Sequence, residues 1–421
     1  MAQDTTPGRK PAADALTYDV LILDAEHKQS LASVRSLGRA GLRVAAGESV
    51  AQFDPDRPLP AFQSRYCAKR LVLPSFVDDA EEFSRAVIAF ARKHSPRVVL
   101  PTGDATIGTL RPYREELAAL GCVLALAPEA ALAVANDKDR TLKVARRIGV
   151  ECPQSVPVAS VDDLSAAYAA FGFPFVLKPT ISWTGQSATR VVPVEVVSEA
   201  EAEAVTEQIL AAGSGVLAQE WLPGRREGVT VFVASDDVVA ACGHVAHRTS
   251  PPLGGVSVVR ESIDPPPDIL DAAVRLVKEI GIQGVCEVEF RRDARGQPFL
   301  MEVNARLSGT IENAVQAGVD FPLMIWQWAT GNSVARVDSY RTGIRTRWLH
   351  GDLRWLTENY QRIGRPDSIS RSRSVIIFAA EFARTRHYDY FDKYDLRPFA
   401  AEIRHTAKVA LKLRSHRQPQ E

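Results

Sequence analysis

Four oxygen-bearing side chains stand on two short segments of the chain: Glu287 and Glu289 within Gly284 to Arg291, and Glu302 and Asn304 within or just beyond Pro298 to Val303. Residues two apart on an extended strand share a face, so each pair presents its polar groups together. The six residues between the segments, Arg292 to Gln297, have the polar, glycine-containing make-up of a hairpin connection. Closing that hairpin brings carboxylates within cross-strand reach, where they repel unless a cation separates them. Hard oxygen ligands suit Mg²⁺ (or Mn²⁺), which takes one or two carboxylates and completes its shell with phosphate oxygens and water. A solvated polar sheet face is the other fate of such alternation, and spacing alone leaves both readings open.

Two lysines stand where an anion can be met. Lys178 lies near the end of the strand pattern Phe175 to Pro179, and Lys138 opens a helical pattern from Asp137 to Ile148 that Gly149 closes. Further strand patterns occupy Val216 to Glu220, and Val229 to Val233 paired with Val238 to Cys242 as a hairpin. The stretch from Gly243 to Gly255 is basic and punctuated by Gly and Pro, which predicts a mobile loop closing over an anionic substrate. Within it, Arg248 is the candidate for a substrate carboxylate, and His247 a weaker candidate for a general base.

The elements that position these groups begin earlier. Apolar runs at Asp19 to Leu23, Leu42 to Ala46 and Arg97 to Pro101 alternate with helical patterns at Leu31, Val34 and Leu37 and from Ala80 to Lys93. That is the order of an open, doubly wound parallel sheet, in which ligands sit beyond the carboxyl ends of strands. The loops there are Asp24 to His27 and Thr102 to Asp104, with Asp104 serving either as a helix N-cap or as a ligand contact. The chain has 421 residues, 46% apolar and 24% charged, with no net charge, which excludes collagen-like, disordered and strongly nucleic-acid-binding classes. Five scattered cysteines without a C-x-x-C pair argue against a disulfide framework or a cysteine zinc site. The absence of a long apolar run or a signal-like start predicts a cytoplasmic protein.

Asp137-Lys138, FVLKP with Lys178, AQEWLPG with Glu227 beyond it, VCEVEF and FLMEVNARLSG occur in the order found in the ATP-grasp superfamily. From roughly Val20 to Gly331 the chain resembles that superfamily, including its pre-grasp domain. The resemblance implies an α/β fold, α+β in the grasp lobes, divided into a leader (1–17), a pre-grasp domain (18–128), a small lobe with linking helix (129–217), a large lobe (218–335) and a basic C-terminal extension (336–421). It implies that Lys138 and Lys178 contact the phosphates of ATP, that Gln219, Glu220, Trp221 and Leu222 form the hinge that meets adenine, and that Glu227 takes the ribose hydroxyls. It also implies that Glu289, Glu302 and Asn304 hold Mg²⁺ or Mn²⁺, two ions in all. Arg306 matches the arginine that supports a phosphate or a developing acyl phosphate, and Ser308-Gly309 the small-residue turn beside the substrate. Arg248 falls in a segment similar to the R-x-x-P-x-x-G-G loop of amino-acid ligases. The loop Thr180 to Ser187 departs from the pattern, with one glycine where relatives have several; Ser182, Thr184 and Ser187 hydroxyls and a Trp183 lid are one reading of it, a plain surface loop the other.

The expected activity is an ATP- and Mg²⁺-dependent ligase that activates a carboxylate as an acyl phosphate and joins it to an amine. The alternatives are a bicarbonate-activating enzyme similar to carbamoyl phosphate synthases and biotin-dependent carboxylases, and a non-catalytic ATP-binding regulatory protein. Expected partners are small-molecule carboxylate and amine substrates, a second copy in a homodimer, and no nucleic acid. From Tyr340 onward 17 Lys/Arg face 9 Asp/Glu, a local net of +8. The basic helical pattern within 403–417 accordingly reads either as a contact for anionic membrane or an acidic partner, or as a helix packed on the core.

Overall fold

The computed structural model describes residues 17–50, 58–181, 193–252, 255–362, 365 and 368–415. The leader to residue 16 and Ser182 to Ser187 of the glycine-poor loop lie outside the described residues. The first sheet is parallel, in the order β3-β2-β1-β4-β5, from β1 (Val20–Ile22), β2 (Val44–Ser49), β3 (Cys67–Leu73), β4 (Val98–Leu100) and β5 (Val123–Leu124). Its apolar strand β1 is buried throughout because β2 and β4 flank it, and the loops after β1 and β4 diverge at this switch point. They are stapled by Asp24, whose carboxylate accepts from the backbone N–H of Thr102 (2.8 Å) and Gly103 (2.7 Å) and from the Thr106 hydroxyl (2.8 Å). Gly103 is the N-cap of the following helix, Asp104–Leu110, so Asp104 is its first residue and is released from the capping role.

The second sheet is antiparallel, β6-β9-β7-β8, from β6 (Ser155–Val158), β7 (Phe175–Pro179), β8 (Val194–Val196) and β9 (Val216–Glu220). Helices Leu164–Phe171 and Glu199–Ala211 bury Leu164, Ala167, Ala202 and Ile209 against Phe175, Leu177 and Ala218. A helix at Lys138–Arg147, capped by Asp137 accepting from the Arg140 N–H, is tied to this sheet where the Lys138 N–H donates to the Thr180 carbonyl at 3.1 Å. This tie sets Lys138 beside the end of β7, and therefore near Lys178.

The third sheet runs β14-β13-β10-β11-β12-β15-β16, from β10 (Arg226–Ala234), β11 (Asp237–Ser250), β12 (Val256–Ile263), β13 (Gly284–Arg292), β14 (Pro298–Asn304), β15 (Arg345–Arg347) and β16 (His387–Tyr388). One face packs Val229, Val231 and Val288 against Ile269, Ala273, Leu276 and Val277 of helix Pro267–Ile280. The other face carries the polar residues singled out above. One expectation is corrected here. The Gly243 to Gly255 stretch is not one loop: β11 continues to Ser250 and pairs with β12, a strand absent from the sequence patterns above. Within the C-terminal extension, β15 pairs with β12 and β16 with β15, which adds two strands to the large sheet.

Helices Leu349–Gln361, Arg371–Arg384 and Arg397–Ser415 complete that segment and close a seam against the first domain. Arg35 of helix Lys28–Arg39 donates to Asp395 Oδ2 (3.0 Å) and to the carbonyls of Asp389 (3.0 Å) and Tyr390 (2.8 Å). Lys28 pairs with Asp389 at 3.3 Å, and Arg260 of β12 meets the same carboxylate. Among the described residues no helix is long and apolar enough to cross a membrane.

Candidate active site

The β13–β14 register sets the acidic residues face to face: Glu287 opposite Asn304, and Glu289 opposite Glu302. A bulge lies next to this pair, since Phe290 pairs with Leu300 and Met301 is the extra residue. The bulge turns Met301 and Glu302 into the same cleft, between the second and third sheets. Burial pushes the Glu289 carboxyl up to about 7, with Arg226 opposing and Glu287 and Glu302 adding to the shift. Arg226 Nε donates to Glu289 Oε2 at 2.8 Å, and the Asn304 amide stands between the acids, 3.3 Å from Glu302 Oε1. A crowded carboxylate pair with an amide and one arginine for relief is a donor set that fits a hard divalent cation. Among the described residues no cluster of three or more His, Cys, Asp or Glu is placed to hold a metal, so the fit rests on two carboxylates and an amide oxygen, with phosphate oxygens completing the shell.

Glu287 is committed elsewhere. Its Oε1 accepts from the hydroxyls of Ser308 (2.8 Å) and Thr310 (2.6 Å), which fixes the turn that follows Arg306. Arg306 itself forks onto Asp104, with Nη2 to Oδ2 at 3.1 Å, and also reaches Asn304 Oδ1 at 3.3 Å. This partner is an acid 202 residues away, brought in by the first domain's helix.

Lys178 is 4% exposed, and its ammonium donates to the neutral Oε1 of Gln219 at 2.7 Å. Burial, then the neighbouring Lys138, lowers it to about 7, while Glu302 pulls the other way. Among the described residues Lys178 forms no ion pair, so the buried cation is left for an anion to complete. Lys138, Lys178, Gln219, Glu220, Trp221, Leu222, Glu289 and Glu302 all line one cleft. Among the described residues, the Gln219 Nε2 and Trp221 Nε1 donors are buried there without a partner. Such donors are costly unless a ligand accepts from them. Glu220 is held through its Oε1, which accepts from the Gln154 N–H at 2.7 Å, and this ties the hinge to β6. A second cavity of about 320 Å³, between Asp104 and the helix bearing Lys138, meets the cleft at Lys138, Met301 and Glu302.

Two expected site residues are not brought there. Glu227 alternates with Arg226 on β10 and so lies on the opposite face, where Arg292 Nε donates to it at 2.6 Å and Arg225 approaches to 3.3 Å. Arg226, the neighbour that strand alternation would have picked out, lines the cleft in its place. Arg248 is not available for a substrate carboxylate. Its guanidinium is buried against Trp355, with Nε and Nη2 on Asp352 (2.7 and 2.8 Å) and Nη1 on Glu381 (3.1 Å). His247 is likewise engaged, 2.9 Å from Glu261 and 2.8 Å from Arg345.

The fold recurs in solved structures. A biotin carboxylase from Campylobacter jejuni superposes with a TM-score of 0.60 at 16% identity, covering 78% of this chain and 74% of its own. An L-amino acid ligase from Bacillus licheniformis gives 0.58 at 18% identity, covering 75% and 74%. The chain has the ATP-grasp fold. Residues 215–351, which carry strands β9 to β15, match a family described as ATP-grasp in the biosynthetic pathway with Ter operon. In sequence, the chain is 27% identical over 212 residues to a D-alanine–D-alanine ligase of Pseudomonas entomophila (strain L48), covering 46% of this chain and 64% of that ligase. The chain thus spans less than two thirds of the length of such ligases.

Proposed function

We propose that the protein is an ATP-dependent ligase that activates a carboxylate as an acyl phosphate and joins it to an amine. The observation that carries this reading is the β13–β14 register, which sets Glu302 opposite Glu289 in the cleft that also holds Lys138 and Lys178. The similarity to ligases named for amino-acid substrates supports it. In the first step a substrate carboxylate oxygen attacks the γ-phosphorus and the bond to the β–γ bridging oxygen breaks, releasing ADP. In the second an amine nitrogen attacks the acyl carbon, phosphate departs, and the amine's surplus proton goes to solvent. Lys138 and Lys178 hold the phosphates, and Arg306, oriented by Asp104, offers positive charge to the transferring group. Glu289, Glu302 and Asn304 would hold Mg²⁺ or Mn²⁺, which when bound supplies charge neutralisation at phosphate oxygens. The unpartnered donors of Gln219 and Trp221 are placed for acceptors of the nucleotide. Small-molecule substrates in the cytoplasm, without nucleic acid, are part of the same reading.

The test is ADP and phosphate release from Mg·ATP with pooled carboxylates, amines and amino acids, with bicarbonate as a separate arm and the Glu302→Gln protein as control. Release that requires both a carboxylate and an amine, and that disappears in the control, is the expected result. Release dependent on bicarbonate alone replaces the ligase by a bicarbonate-activating enzyme; ATP binding with no release in any mixture replaces it by a regulatory protein.

A further inference from the structure

A cleft of about 700 Å³ opens beside the nucleotide cleft, between the Pro223 to Arg226 turn, β11 and the two helices Leu349–Gln361 and Arg371–Arg384. Its charged lining is one-sided: Arg225, Arg226, Arg248, Arg291, Arg345 and Arg384 against a single acid, Glu381. The acids of its wall are already saturated. Both oxygens of Asp352 accept from Arg248, with Arg347 adding a third bond, and Glu381 accepts from Arg248 through Oε2 and from Arg345 and Thr385 through Oε1. Arg226, Arg248 and Arg345 are engaged with Glu289, Asp352, Glu261 and Glu381; at the mouth, Arg225 approaches Glu227 at 3.3 Å yet is 63% exposed, and among the described residues Arg384 makes no ion pair. Trp355, Ile369 and Ile377 give the same cleft an apolar side. Arg226 and Arg291 belong to both clefts, so an occupant here would lie alongside the nucleotide.

We propose that this cleft binds an anionic molecule that has an oxyanion head and an apolar body. Guanidinium donors at the mouth, on Arg384 and the exposed Arg225, favour carboxylate or phosphate, for which the planar fork of arginine is suited, and a wall of Trp and Ile favours a hydrocarbon portion. The segment beyond residue 335 contributes Arg345, Trp355, Ile369, Ile377, Glu381 and Arg384 to the lining, and none of Lys138, Lys178, Glu289, Glu302 and Asn304 takes part in it. The assignment does not require the ligase reading: it stands or falls on binding, measured without turnover.

The experiment is calorimetric titration of the full chain with three probes that share one six-carbon tail: hexanoate, hexyl phosphate and hexylamine. Either anion is expected to bind more tightly than the amine by at least about tenfold, and to weaken as salt is raised. Arg384→Glu and Arg225→Glu, both surface changes checked for folding by their melting temperatures, are each expected to weaken the preferred anion by about tenfold. The better of the two anions identifies the head group. Equal binding of anion and amine, no measurable binding of either anion, or indifference to both charge reversals overturns the proposal.

Discussion

Buried charge gathers in two regions of this molecule, the nucleotide cleft and the seam where the C-terminal segment meets the rest, and the two treat it in opposite ways. In the seam the acids Asp352, Asp389 and Asp395 are each met by arginine. Asp395 accepts from Arg35 Nε, the Ser64 hydroxyl and the Arg65 N–H, and Asp352 is shared by Arg248 and Arg347. In the cleft the accounts are left open: a buried lysine rests on a neutral amide, and two carboxylates confront each other across a bulge. Desolvation is costly in both places, so saturated charge indicates a structural joint and unsaturated charge a place reserved for a ligand. Arg248 illustrates the value of the distinction, since its type and position suggested a substrate and its partners assign it to the joint.

The comparison can be broken most forcefully in the seam. Asp352→Ala would leave Arg248 and Arg347 buried without their shared acid, and is expected to cost about 3–5 kcal/mol of unfolding free energy in denaturant titration. A variant as stable as the parent would remove the structural reading of that network. In the cleft, Glu302→Gln is expected to lower turnover by about 10²–10³-fold while the melting temperature changes little, because the group acts on the ligand and not on the fold. Asp104→Asn sharpens the contrast across domains: Arg306 loses its charged fork, and kcat is expected to fall by about tenfold with the KM for ATP nearly unchanged.

The smallest effect concerns pH. Burial, then Asp24, pushes the Glu48 carboxyl up to about 8 from its ordinary 4.5. The folded state therefore keeps this proton where the unfolded chain has lost it, so its contribution is full below the ordinary value and is lost as pH rises toward 8. Glu48→Gln is expected to flatten the decline in stability between pH 5 and 8, read from denaturant melts at the two pH values. An unchanged slope would show that Glu48 ionises freely in the folded protein.

How far the sequence could be read follows the same division. The central strands β1, β4 and β7 were legible because strands covered on both faces need unbroken apolar runs. β3 was not, since an edge strand can show Lys69 and Arg70 to solvent and so loses the apolar signal. The acidic hairpin was legible through its period of two. β11 was hidden because Pro251, Pro252 and Gly255 punctuate the turn that follows it, and their influence was extended back over a paired strand. The pairing of Arg306 with Asp104, and of Arg248 with Asp352 and Glu381, leaves no periodic trace, because the partners stand 202, 104 and 133 residues apart and meet only through tertiary structure.

Arg35 and Lys28 stand on the helix that follows β1, while Asp395 and Asp389 lie about 360 residues further along the chain. Until that distant segment has been made, the sheet around β1 and β4 carries two cationic side chains destined for burial without the acids that receive them. It can collapse early around β1 and β4, yet its outer helix is sealed only once residues 389–395 arrive. A chain interrupted before Asp389 would therefore lack the latch and present that helix still charged and uncovered to chaperones and proteases.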